Sequence, residues 1–114
     1  MRALAISDLH YELRIREGVD ESMAWDWLLS VVDEQSPDVL LSCGDWGEAV
    51  TADLLRELTE RVEVYTVYGN HENLAALESA RNRRGTPVLL GDCEILDVGG
   101  VRIAGINGVV APAG

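Results

Sequence analysis

With 114 residues, twenty acidic and nine basic side chains and a formal net charge of −11, residues 1–114 are expected to form one domain whose core hides somewhat under ~70% of the unfolded surface. That charge excludes general binding to a nucleic-acid backbone, because counterion release needs clustered positive charge. No apolar stretch approaches the ~20 residues of a bilayer span, and the N-terminus runs straight into a strand-like segment without signal-peptide anatomy, so a cytoplasmic protein is expected.

Residues 2–6 (RALAI) read as a first strand, followed at once by Ser7-Asp8-Leu9-His10. Residues 21–35 predict a helix in which Ala24, Trp27, Leu28, Val31 and Val32 recur at helical spacing, leaving Asp26, Asp33 and Glu34 on the wet side. Pro37 stops it, and Ser36, as the residue before a proline, is expected to be extended. Residues 38–41 (DVLL) form the second strand, ending in Ser42-Cys43-Gly44-Asp45. A second helix over 48–60 turns Leu54, Leu55 and Leu58 inward and Asp53, Arg56, Glu57 and Glu60 mostly outward. The third strand covers 62–67 and runs into Tyr68-Gly69-Asn70-His71-Glu72. A third helix is predicted from Asn73, a fair N-cap, through Leu74, Leu77 and Ala80 to Arg84, with Arg81, Arg83 and Arg84 at its negative end.

After Gly85 the pattern changes. Residues 88–90, 93–98 and 101–106 look like strands joined by hairpin-type turns at Gly91-Asp92 and Gly99-Gly100. The fold class is therefore α/β, a parallel βαβαβ half followed by antiparallel strands.

Strands joined by helical crossovers lie parallel, so their C-terminal ends emerge along one edge, where open α/β sheets place ligands. Asp8 and His10, Asp45, and Asn70 and His71 all sit within a few residues of such an end. Neighbouring strands are about 4.8 Å apart, so these side chains can reach a common point. Carboxylate, imidazole and amide form a mixed oxygen and nitrogen set that suits Mn, Fe, Zn or Mg better than a thiolate-rich structural zinc. Asp45 is placed to bridge two cations, Asn70 to offer an amide oxygen to the second, and His71 to meet a substrate oxygen as proton donor or charge stabiliser. Gly44 and Gly69, lacking Cβ, let the backbone approach the site closely.

Other features carry blander readings. Cys43 and Cys93 read as two buried, reduced thiols in strands. Trp27 reads as core, Trp25 as partly exposed and Trp46 as a shield for the loop after Asp45. Glu12, Arg14 and Arg16 come after His10 as a solvated run that could touch substrate. All nine basic residues are Arg, a bias that adaptation to high salt and a GC-rich genome would both produce.

Asp8-Leu9-His10, Gly44-Asp45 and Gly69-Asn70-His71-Glu72 resemble the D-x-H, G-D and G-N-H-[DE] blocks of the calcineurin-like metallophosphoesterases, in the same order and over essentially the whole chain. The resemblance implies a pair of packed mixed sheets flanked by helices, and hydrolysis of phosphate monoesters, diesters or nucleotides. By matched position it implies that Asp8 and His10 bind a first metal, Asp45 bridges, Asn70 binds a second and His71 is the catalytic acid or transition-state stabiliser. It also implies a departure: the family's later histidines, one isolated and two in a G-H-x-H block, have no counterpart here, since no histidine comes after His71. The first metal keeps Asp8, His10 and Asp45, whereas the second keeps only Asp45 and Asn70, so the chain is expected to bind one ion of the two and to resemble an incomplete, C-terminally truncated sandwich. A homo-oligomer or a partner chain would then cover the unfinished sheet. Three accounts compete: a phosphoesterase of weak or no activity in isolation, a non-catalytic interaction or regulatory module of the same descent, and an unrelated α/β domain whose acids face water.

Overall fold

The computed structural model describes residues 1–108. Strands β1 (Ala3–Ile6), β4 (Val39–Ser42) and β5 (Glu63–Thr66) form a parallel sheet in the order β1-β4-β5. The register is Leu4 beside Leu40 beside Val64, and Ile6 beside Ser42 beside Thr66. Two antiparallel hairpins accompany it. One, β2 (Ile15–Arg16) with β3 (Val19–Asp20), lies in the loop after His10; the other is β6 (Leu96–Val98) with β7 (Val101–Ile103). The α/β fold expected from the sequence is the one observed, and among the described residues no helix is long and apolar enough to cross a membrane.

Helices α1 (Ala24–Gln35) and α2 (Ala52–Thr59) pack into the large core with residues of the sheet, the loops and the third helix, and in it Leu28, Leu40, Leu55, Leu58, Val64 and Val88 are fully buried. A smaller cluster, Val39, Tyr65, Leu90 and Val98, joins the C-terminal hairpin to the sheet. Thr51 caps α2 by accepting the Leu54 N–H at 3.3 Å, and Asn73 caps α3 (Leu74–Ser79) by accepting that of Ala76.

Several sequence expectations need correction. In α1 the buried residues are Trp25, Leu28, Leu29 and Val32, while Trp27 is 63% exposed. Leu28 and Val32 belong to both possible apolar stripes, so periodicity alone does not fix the helix's rotation; the aromatic neighbours Tyr11 and Trp46, whose rings lie 6.0 and 6.3 Å from that of Trp25, draw that side inward. Ser36 is left-handed rather than extended, and its N–H donates to the Val32 carbonyl in ending the helix.

The third helix stops at Ser79 instead of reaching Arg84, because Asn82 is buried against β5. Its Oδ1 accepts the Val64 N–H at 2.8 Å and its Nδ2 donates to the Val64 carbonyl at 2.9 Å. Arg81 nevertheless donates to the carbonyls of Glu78 and Ala80 at that end. Leu74 is partly exposed. Of residues 88–90 only Leu89 bridges the sheet, beside Thr66. Cys43 and Cys93 are both exposed and lie outside the strands, since each falls where the chain has already begun to turn.

Truncating Leu58 to Ala, which leaves a void in the α2 packing, should lower the free energy of urea unfolding by about 2–5 kcal/mol. Trp27→Ala should change it by no more than about 0.5 kcal/mol, despite being the larger deletion.

Candidate metal centre

The pairing of β1 with β4 does not end with the strands. The N–H groups of Asp8, His10 and Tyr11 donate to the carbonyls of Gly44, Asp45 and Trp46 at 3.2, 3.1 and 2.8 Å, and Gly47 N–H donates to His71 O at 2.8 Å. The three strand-end loops are therefore zipped side by side. Asp8, His10 and Asp45 adopt left-handed backbone conformations with φ of 56°, 50° and 55°, a region costly for most residues and best tolerated by Asn, Asp and His. No feature of the sequence alone indicates this twist, which repeats in two adjacent loops.

The twist brings the side chains together. One ligand atom each from Asp8, His10 and Asp45 lies within 4.8 Å of the others, and His10 Nε2 is 3.4 Å from Asp8 Oδ1. Donors held at about 2.0–2.2 Å by one ion are separated by roughly 3–4 Å from each other, so a small contraction suffices. The Ser7 hydroxyl, donating to Asp8 Oδ2 at 2.8 Å, is the main cause that holds the Asp8 carboxyl below its ordinary pKa. Two carboxylates gathered beside one imidazole make an anionic cluster that a divalent cation neutralises, and in this respect the residues present fit a metal.

Asp45 is also fixed from the third loop. Its Oδ1 accepts the backbone N–H groups of Asn70 and His71 at 2.9 and 3.1 Å. Asn70 and His71 are thus brought to the cluster through their backbone, with exposed side chains, and the His71 ring lies 5.4 Å from that of His10. Gly69 is required by this contact, because a Cβ there would run into the Asp45 carboxylate. At Gly44, with φ of +100°, a Cβ would come within 2.9 Å of the Gly69 nitrogen.

Glu72, to which the sequence pattern assigns no role, is the hub of the loops. Its Oε2 accepts from Asp45 N and Gly69 N, each at 2.9 Å, and Oε1 from Trp46 N at 2.6 Å. The available signal is the need of buried N–H groups in Gly-containing turns for acceptors, with one carboxylate beside them. Glu12 acts similarly, accepting from Glu48 N and Ala49 N at 3.1 and 3.2 Å, and Arg14 pairs with Glu21. Trp46 is more than a shield: it is 1% exposed, and its indole N–H donates to Thr66 Oγ1 at 2.9 Å.

A parallel sheet with an Asp, His and Asp cluster past its C-terminal edge defines an α/β protein with a candidate divalent-metal centre. Residues 1–112 match the calcineurin-like phosphoesterase superfamily domain, and the chain belongs to that family. Membership implies a phosphoester substrate. No curated protein matches the sequence as a relative.

Glu72→Gln should lower stability by about 1–3 kcal/mol in urea unfolding, because the amide group can offer only one oxygen to the three N–H donors and its NH₂ faces at least one of them.

Proposed function

We propose that the protein is a metal-dependent phosphoesterase, hydrolysing phosphate mono- or diesters by metal-activated water. The observation that carries this reading is the convergence of the Asp8, His10 and Asp45 donor atoms within 4.8 Å, in a chain of the calcineurin-like family. In this proposal Asp8, His10 and Asp45 hold a divalent ion of the Mn, Fe, Zn or Mg class, and Asp45 and Asn70 offer donors to a second. Bound there, such ions lower the pKa of water and polarise a phosphoryl oxygen. His71 gives a proton to the leaving oxygen or stabilises charge on a non-bridging one. The backbone N–H groups of Asn70 and His71 restrain the Asp45 carboxylate, so less reorganisation is needed when a ligand binds.

The chain's own donors distinguish the two ion sites. Within these 114 residues the only histidines are His10 and His71, so the second site has Asp45 and Asn70 alone, and turnover by this chain by itself is weak or absent. A second copy or a partner chain bringing further ligands would complete it, and would also cover Ile95, Val101 and Ile106, which are 65%, 48% and 74% exposed. The same shortage of ligands favours a second reading, a non-catalytic module of this family that binds one cation as a structural or regulatory ion.

Calorimetric titration with Mn²⁺, followed by assay with bis(p-nitrophenyl) phosphate, tests both. The phosphoesterase reading expects about one Mn²⁺ per chain, loss of that binding in Asp45→Asn, and Mn²⁺-dependent hydrolysis, weak in the chain alone or arising once a completing chain is added, that His71→Ala abolishes. Binding without hydrolysis at any Mn²⁺ concentration, alone or with a completing chain, would leave the module; equal Mn²⁺ binding by the Asp45→Asn protein would remove the metal site altogether.

A further inference from the structure

The outer edge of β5 is closed in an unusual way. In a regular parallel ladder, the pairing seen at Thr66, whose N–H donates to Val88 O while its carbonyl accepts from Leu90 N, both at 2.9 Å, would continue with Tyr68 N–H donating to Leu90 O. That rung is replaced by a side chain. Asn107 Oδ1 accepts the Tyr68 N–H at 2.9 Å, and Asn107 Nδ2 donates to Leu90 O at 2.7 Å. The neighbouring Gly108 N–H donates to Tyr68 O at 3.0 Å, so the Tyr68 residue is held through both its backbone groups by Asn107 and Gly108. Asn107 is itself anchored, its own N–H donating to Asp92 Oδ1 at 2.7 Å.

An amide matches a peptide group in offering one acceptor and a donor side by side, so it can stand between two strands as a short extra rung that separates them. At the opposite end of β5 another amide, Asn82, caps the edge differently, bonding both backbone groups of the single residue Val64. Only one of the two ends leads into the metal centre. Beyond Tyr68 the chain enters Gly69, whose N–H meets Glu72, and then Asn70 and His71, whose N–H groups hold Asp45 Oδ1.

We propose that Asn107 is a positioning residue for the metal centre: by wedging between β5 and the segment at Leu90 it sets where the chain leaves the sheet, and so where the backbone of residues 69–71 meets Asp45. It touches neither substrate nor metal. Its effect on metal binding rests on the proposed Asp8, His10 and Asp45 site, whereas its effect on the loop does not.

The experiment uses the whole chain as Asn107→Ala and Asn82→Ala, with Mn²⁺ as the probe and amide hydrogen exchange measured without metal. Asn107→Ala should speed exchange at residues 69–72 while residues 40–42 of β4 keep wild-type rates, and should weaken Mn²⁺ binding about tenfold, the scale of lost outer-shell support. Asn82→Ala should lower the urea midpoint and leave Mn²⁺ affinity of the folded protein unchanged. Residues 40–42 provide the reference within Asn107→Ala itself, so the result stands even if Asn82→Ala does not fold. Unchanged exchange at 69–72, exchange accelerated equally at 40–42, or unchanged Mn²⁺ affinity would overturn the proposal. If the wild-type chain binds no Mn²⁺, the metal site has failed, and exchange at 69–72 alone still decides whether Asn107 positions the loop.

Discussion

Where the parallel sheet ends, backbone N–H groups that would have entered the next rung need other acceptors, and in this protein two carboxylates take five of them. Glu72 receives three N–H groups from the loops after β4 and β5, and Asp45 receives two more from the loop after β5. For the three that Glu72 takes, which are partly buried, losing the acceptor would cost about 1–3 kcal/mol each. These five hydrogen bonds fix Asp45 against the loop after β5, and the backbone bonds of Asp8 and His10 N–H to the Gly44 and Asp45 carbonyls set it beside Asp8 and His10. Structural and chemical demands converge on one carboxylate, whose Oδ1 is already committed to the chain.

This arrangement concentrates strain at the site and support beneath it. Three donor residues, Asp8, His10 and Asp45, are left-handed, at a conformational cost on the order of 1–3 kcal/mol each. Beneath them Trp46 is buried among Trp25, Val50 and Leu55 and tied to Thr66. The apolar floor keeps the loops from relaxing into easier conformations, while the carboxylates remain at the surface where a cation can reach them. A net charge of −11 adds a long-range attraction for cations that salt screens.

The parts of this fold that periodicity controls are legible in the sequence. Three aliphatic runs separated by helical segments specify the parallel sheet, Asn73 is recognisable as a cap, and Asp8, His10 and Asp45 are legible as neighbours because the topology brings strand ends to one edge. Asp8 and Asp45 are visible as donors, but not as left-handed residues, since only the completed loop pairing requires that conformation. Trp25 and Trp27 exchange their expected roles because a broad apolar stripe leaves the rotation of α1 to its tertiary neighbours. Glu72, Asn82 and Asn107 escape for a common reason. Each bonds backbone groups of another segment of the chain, and a polar side chain's choice of backbone partner leaves no periodic trace.

The central claim, that the strand-end loops build one cation site from Asp8, His10 and Asp45, is tested most directly by anomalous scattering from crystals equilibrated with Mn²⁺. The account predicts a manganese peak within about 2.0–2.3 Å of a donor atom from each of these three residues. A manganese peak elsewhere with these residues uncoordinated, or no peak at saturating Mn²⁺, would contradict it.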